Sequence, residues 1–435
     1  MYRKAIEELL RWKDDPRRKP LMVYGARQVG KTWLLKEFGE KSYRHTAYIM
    51  MADNARMLTL FEGNNDARSI ISGLEVEAGF SFTPADTLIV LDEAQEVPKA
   101  VSALKHIYEQ APEYHIAVAG SLLGVTLNEN VSFPVGKVNS LYLYPLDFEE
   151  FLRAVKSERF ARTLHDADEA ARNVFHGELN DLLKQYYLIG GMPEVVSSFA
   201  ADKDYFAARR IQKQIISDYE HDFGKHAPSA LVPRIQMVFD SIPSQLAKEN
   251  KKFIYGVLKT GARAKDYELA IQWLVGAGIL HKVPRVNSLT PPLKHYEDVG
   301  AFKLFMVDVG LLCAMSNVEP RIVLEGNNVF VEYKGAMTEQ YVAEQLRAAR
   351  IGFYYFSSDD AKTEVDFVAE LEGAVVPIEV KSSENLASKS LRHVVGKYPI
   401  ATAVKFSLLP ERINDPIHNL PLYAVARLQA QSMLE

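Results

Sequence analysis

The chain has 435 residues, 48% of them hydrophobic and 25% charged, the balance of a soluble globular protein with core enough for two or three domains. A formal net charge of −5 argues against a protein coated in nucleic acid, while leaving room for a local basic groove. The one cysteine, Cys313, excludes an internal disulfide framework and a cysteine-based metal site, and it points to a reducing, cytoplasmic setting.

Met1 to Trp12 has helical spacing with charges throughout and lacks the apolar core expected of a signal peptide. No apolar run approaches the length that spans a bilayer, so no membrane partner is expected. After a charged loop bounded by prolines, Leu21-Met22-Val23-Tyr24 reads as a buried strand, and Trp33 to Phe38 reads as the first turns of a helix. Between them, Gly25-Ala26-Arg27-Gln28-Val29-Gly30-Lys31-Thr32 matches G-x-x-x-x-G-K-[ST], the P-loop. Its glycines let the backbone bend so that successive N–H groups face phosphate oxygens, and the helix N-terminus adds its positive end. These eight residues are the expected ATP-binding set. Lys31 is expected to reach the β- and γ-phosphates, and Thr32 to hold Mg²⁺ through its hydroxyl.

His45 to Met51 reads as a second strand. Leu88-Ile89-Val90-Leu91-Asp92-Glu93 is an apolar run ending in two acids, the pattern of a central parallel strand covered on both faces. Ligands of open α/β sheets bind at such strand ends. Asp92 is the expected second Mg²⁺ ligand, and Glu93 the general base that polarises a water against the γ-phosphate. His115 to Ser121 is another buried strand. In AAA-type ATPases the strand beside the acids ends in a polar sensor of the γ-phosphate, and Ser121 would occupy that place. A plain Gly-Ser turn is the competing reading. Val138 to Leu143 gives one more strand, and Asp147 with Glu150 forms a capping box that opens the next helix. Residues 1–153 are thus expected to form an AAA-type P-loop domain around a parallel sheet.

From Ala154 to Asp240 the spacing is almost wholly helical, broken at Gly190-Gly191-Met192-Pro193. Phe253 to Phe305 reads as helix, turn, helix and hairpin, which suggests a winged helix within 154–310. Lys251, Lys252, Lys259, Arg263 and Lys265 would give it a basic face, interrupted by Asp266 and Glu268. DNA contact and a protein–protein role both fit this pattern.

Residues 311–435 carry a second constellation. Tyr333 to Arg350 is a helix containing Glu339, Thr363 to Ala369 alternates like a strand, and Glu372-Gly373 turns it into Val375 to Lys381. A period of two puts Glu379 and Lys381 on one face, with Asp366 able to approach across the hairpin. An acid on one strand and E-x-K on the next is how PD-(D/E)xK nucleases build a metal site. Asp366 and Glu379, with Glu339 as a third carboxylate, are the expected oxygen ligands of Mg²⁺, and Lys381 the catalytic lysine.

The chain resembles a prokaryotic family of AAA-type P-loop ATPases fused to a C-terminal domain of unknown function with a restriction-endonuclease-like core. The stretches that carry the resemblance are Tyr24 to Thr32, Leu91-Asp92-Glu93-Ala94-Gln95, Ala119 to Leu123, Phe133 to Val138, Gly190 to Val195, Phe302-Lys303-Leu304, Asp308 to Leu312, Glu339 to Val342, Glu364 to Phe367 and Pro377 to Ser382. The fold class implied is α/β: an N-terminal P-loop sheet, a helical and winged-helix middle, and a restriction-endonuclease-like C-terminal domain. The resemblance implies ATP binding and hydrolysis but supplies no substrate. AAA-type hexamers use an arginine finger; none is assignable here, and Lys137 stands where the family often has arginine. The leading expectation is a Mg²⁺-dependent ATPase coupled to a nuclease-like, DNA-acting domain. The alternative is an ATP-dependent regulator or scaffold whose inactive C-terminal domain binds DNA or a protein client. Assembly as a homo-oligomer is compatible with either.

Overall fold

The computed structural model describes residues 1–63, 66–121, 134–165, 169–248, 251–325, 331–358, 362–382 and 388–429. Leu122, Leu123 and Phe133, which belong to stretches quoted above, lie outside the described residues. The chain divides into two compact units. One is Tyr2–Tyr144 together with Gly276–Ile279, and the other is Pro145–Val275 together with the chain from Leu280 on.

The first unit holds five parallel strands among its described residues: β1 Leu21–Tyr24, β2 His45–Met50, β3 Thr87–Asp92, β4 His115–Ala119 and β5 Asn139–Tyr142. Their order is β2-β3-β4-β1-β5. The β3 run is buried at every position, as its unbroken apolar sequence predicts. Ile89 and Leu91 join Ile49, Ile116 and Val118 in a core shared with Ile70, Leu74, Val101 and Leu104 of two helices, Ala67–Ala78 and Pro98–Gln110. Leu88 and Val90 point to the opposite face, where the helix Lys31–Ser42 runs. Because β4 lies between β1 and β3, Gly120 and Ser121, which follow β4, lie between the P-loop and the acids that end β3.

The second unit opens on Asp147, whose side chain accepts the Glu150 N–H at 2.8 Å while Glu150 reaches back to the Asp147 N–H. Helices Glu169–Ile189, Pro193–Asp202, Tyr205–His226 and Val232–Leu246 follow, so the helical reading of this region holds. The break after Ile189 is held by Asp308, whose carboxylate accepts the Gly191 N–H at 2.6 Å. Burial raises the Asp308 carboxyl to about 6, and hydrogen bonds from Gly191, Leu311 and Gly310 work against that rise.

The sheet of this unit is mixed. Its described strands are β6 Leu280–Val286, β7 Glu297–Met306, β8 Phe353–Ser357, β9 Glu364–Leu371, β10 Ala374–Val380, β11 Ala403–Ser407 and β12 Ile417–Pro421. They run in the order β12-β11-β10-β9-β8-β6-β7. The hairpin read as a wing is β6–β7, and it is the edge of this sheet, joined through a parallel pairing of β6 with β8. A boundary at residue 310 therefore falls between strands of one sheet. Periodicity identified the two strands but could not show what they pair with, since a pairing partner more than fifty residues away leaves no local trace. The β9–β10 turn has positive φ at both Glu372 (51°) and Gly373 (81°), the backbone of a two-residue type I′ hairpin. Val365, Val368 and Val375 of that hairpin pack with Leu391 and Val394 of the helix Lys389–Lys397. No helix among the described residues is long and apolar enough to cross a membrane.

Candidate functional site

The P-loop joins β1 to the helix that starts at Lys31, and its backbone takes positive φ at Gly25 (150°), Gln28 (67°) and Gly30 (92°). A side chain at Gly25 would collide with the Leu143 carbonyl oxygen, so only glycine fits there. Arg3 clamps the loop from beneath. Its buried guanidinium donates to the carbonyls of Val29 at 2.9 Å and Tyr144 at 2.6 Å. The sequence pattern gave Arg3 no role, because a lone arginine in an N-terminal helical run carries no spacing signal.

Lys31 is buried. Its ammonium donates to the Gly25 carbonyl at 2.9 Å, the Ala26 carbonyl at 2.8 Å and the Ser121 hydroxyl at 3.2 Å. Burial pulls it down to about 8 against the raising charges of Glu93 and Asp92, and Arg27 lowers it further. Thr32 and Asp92 also meet: the Thr32 hydroxyl donates to Asp92 Oδ2 at 2.6 Å. The same oxygen accepts the Tyr48 hydroxyl at 2.7 Å. Burial and the Asp92 hydrogen bond hold that phenol far above its ordinary range. Tyr48 sits on β2, which pairs with β3 and sets Tyr48 opposite Val90. It was not singled out from sequence, since an aromatic residue in an alternating strand is ordinary strand chemistry.

Glu93 follows β3 directly and has a positive φ of 54°, an uncommon conformation for a non-glycine residue. Its Oε2 accepts the Gln95 amide at 2.5 Å, so Gln95 orients the carboxylate. Gln95 had been quoted only as part of a motif. The structure thus brings Lys31, Thr32, Ser121, Asp92 and Glu93 around one end of the parallel sheet. Thr32 and Asp92, a hydroxyl and a carboxylate in contact, form the oxygen donor set that suits Mg²⁺.

The second constellation lies on one face of the mixed sheet. Lys381 Nζ stands 2.6 Å from Glu379 Oε1, as the period of two requires. Asp366 accepts the Val380 N–H at 2.7 Å across the hairpin. Glu339, on the helix Val331–Ala348, receives the Lys251 ammonium at 2.6 Å and lies 3.8 Å from Lys303. Lys303 also pairs with Glu364 at 2.8 Å. Burial and the nearby Glu339 charge raise Asp366 to about 7 against the lowering pull of Lys303. Burial alone would lower Lys303 and Lys381, yet the surrounding carboxylates hold both above the usual lysine value.

Three members of this cluster were not assigned to it from sequence. Lys251 had been read as part of a basic outer face, but its ammonium is turned onto Glu339. Lys303 is only 1% exposed inside the apolar run Phe302 to Met306, and that incongruity was the available signal: a buried charge requires a partner. Glu364 is the third. Among the described residues, no three Asp, Glu, His or Cys side chains are arranged as a metal-holding group. Lysine ammoniums stand beside the acids instead. Two buried carboxylate oxygens, Glu339 Oε2 and Glu379 Oε2, have no hydrogen-bond donor among the described residues. These are the kind of oxygen a hard divalent cation takes, so the donor chemistry fits Mg²⁺ while the lysines compete for it.

Residues 17–152 match the family model of an AAA domain. Residues 180–321 and 334–425 match two domains of unknown function, DUF8612 and DUF4143. No curated protein matches the chain. Among solved structures, it is similar to a Walker-type ATPase of Pyrococcus abyssi at 14% identity, over 72% of this chain and 95% of that one, with a TM-score of 0.44. It is also similar to Cdc6p of Pyrobaculum aerophilum at 12% identity, over 74% and 93% of the two chains, with a TM-score of 0.25. The Aeropyrum pernix Orc1 protein, solved in complex with DNA, matches at 13% identity over 73% and 93%, with a TM-score of 0.28. With the P-loop geometry and the AAA match on the same segment, the N-terminal part of this chain is an AAA-type P-loop ATPase domain within an α/β protein.

Proposed function

We propose that the chain is a Mg²⁺-dependent ATPase whose nucleotide state acts on the acid- and lysine-lined site of the C-terminal sheet. The observation that carries the reading is the convergence of Lys31, Thr32, Ser121, Asp92 and Glu93 at the sheet end where ligands of α/β folds bind. The amides of Gly25 to Thr32 cradle the phosphates, and Lys31 leaves its loop carbonyls to meet the β- and γ-phosphates. Ser121, already in contact with Lys31, reads the γ-phosphate. Glu93, held by Gln95, takes the proton of the attacking water. Thr32 and Asp92 would hold Mg²⁺, which would supply charge neutralisation at the phosphates. Phosphate release from ATP should depend on added Mg²⁺ and fall to background with a chelator. Absence of ATP binding by calorimetry on folded protein with Mg²⁺ present would overturn the reading.

The C-terminal site supports a nuclease-like role as its first reading. The donor-less oxygens of Glu339 and Glu379 beside Asp366 favour it. Asp366, Glu379 and Glu339 would hold the cation, and Lys381 would stabilise charge on a phosphodiester. Glu379→Ala should then weaken Mn²⁺ binding, measured without nucleotide, by ten-fold or more, and remove any oligonucleotide cleavage. Unchanged Mn²⁺ affinity would leave the alternative, a regulator or scaffold that binds DNA or a protein client.

A further inference from the structure

Between β11, β12 and the helix Lys389–Lys397 lies a cavity of about 300 Å³, lined by Ser388, Arg392, Lys405, Arg412, Asp415 and Asn419 among others. We propose that it is a binding site for a phosphate group, carried in a polynucleotide backbone or on a free mononucleotide. It adds a substrate-phosphate subsite to the reading of the acidic site but does not need that site to hold a metal.

Strand register explains why the cations meet. The parallel pairings place Glu379, Lys405 and Asn419 side by side across β10, β11 and β12. The pocket floor is fixed by polar contacts: Ser407 donates to Asn419 Oδ1 at 2.7 Å, and the Asn419 amide donates to the Pro410 carbonyl at 2.9 Å. Arg412 is tied to the same residue by two backbone hydrogen bonds of 2.8 and 2.9 Å with Asn419. Arg392 comes from the first turns of its helix, and the N-cap residue Ser388 lines the pocket beside it.

Charge in the pocket is unbalanced. Arg392 and Arg412 are exposed, and neither guanidinium has a hydrogen bond or ion pair among the described residues. Lys405 is buried. Its ammonium is held below its usual value, first by burial and then by the charges of Arg392, Lys381 and Arg412 against the raising charge of Glu379. Among the described residues, Glu379 is paired with Lys381, and the pocket lining sets Arg392, Lys405 and Arg412 against a single carboxylate, the solvent-open Asp415. Converging cations repel one another until an anion enters. Ligand pockets run from roughly 300 to 1,000 Å³, so this one is large enough for a phosphate group, with the rest of a nucleotide free to extend outward.

The test uses the full chain carrying Lys31→Ala, which removes the P-loop as a competing phosphate site. A labelled single strand of about twenty nucleotides is titrated across a salt series, with AMP and inorganic phosphate as separate probes. Arg392→Ala with Arg412→Ala should weaken oligonucleotide binding by ten-fold or more and reduce the salt slope by about one to two. Arg412→Glu alone should weaken it at least as much as Arg412→Ala, which guards against a misfolded double variant. Arginine-dependent binding of AMP or phosphate, without the oligonucleotide, would assign the free molecule as the source. If neither arginine change alters any probe's affinity, the proposal is overturned. Glu379→Ala should leave the arginine-dependent binding in place, so the pocket and the acidic site fail separately.

Discussion

Lys31→Ala is expected to remove most nucleotide affinity, while Glu93→Gln should retain it and stop turnover. Lys31 is buried and, among the described residues, its hydrogen bonds go to two loop carbonyls and Ser121, so its charge is available to a phosphate at little cost in broken ion pairs. Truncating one partner of a buried, hydrogen-bonded charge pair costs about 2–5 kcal/mol, or roughly thirty- to several-thousand-fold in Kd. Glu93 plays a different part. The amide of glutamine keeps the shape and the Gln95 contact but cannot accept a proton, and loss of a general base costs roughly 10²–10⁴ in rate. Calorimetry of ATP binding and single-turnover phosphate release separate the two effects. Wild-type turnover by Glu93→Gln would remove Glu93 from the role of base.

The second large effect concerns stability. Lys303→Met should destabilise the C-terminal unit by about 3 kcal/mol, because it takes from Glu364 the cation 2.8 Å away and leaves Glu339 with Lys251 alone. Methionine fills similar volume, so a cavity contributes little to the loss. The Tyr355 ring, 4.9 Å from the ammonium, loses its cation as well. Adding Glu364→Gln should recover part of the loss, since the charge left without its cation disappears with it. Denaturant unfolding at constant slope reads both changes. An unchanged midpoint in Lys303→Met would mean that the lysine is not what neutralises the cluster.

Lys31 and Lys303 also divide what was legible in the chain from what was not. The P-loop could be read outright because all eight of its residues are contiguous and each answers a local demand of the backbone: positive φ at Gly25 and Gly30, and a lysine and threonine opening the helix. The same holds for Asp92 and Glu93 at the end of an apolar run, for the Asp147–Glu150 cap, and for the Glu372-Gly373 turn that sets Glu379 and Lys381 on one face. Local sequence specifies local dihedrals and strand alternation, and these features need nothing else.

Tertiary structure alone decided which distant residues complete each site. Tyr48 reaches Asp92 because β2 pairs with β3. Lys251 and Lys303 reach Glu339 from 88 and 36 positions away in the chain. The hairpin read as a wing became a sheet edge through strand order, and Lys405 of β11 came to line one pocket with Arg392 of a helix and Arg412 of the segment after β11. Strand order and register set these meetings by burying apolar faces across long loops. The pattern of any single segment records that a face is buried, and it does not record against which partner.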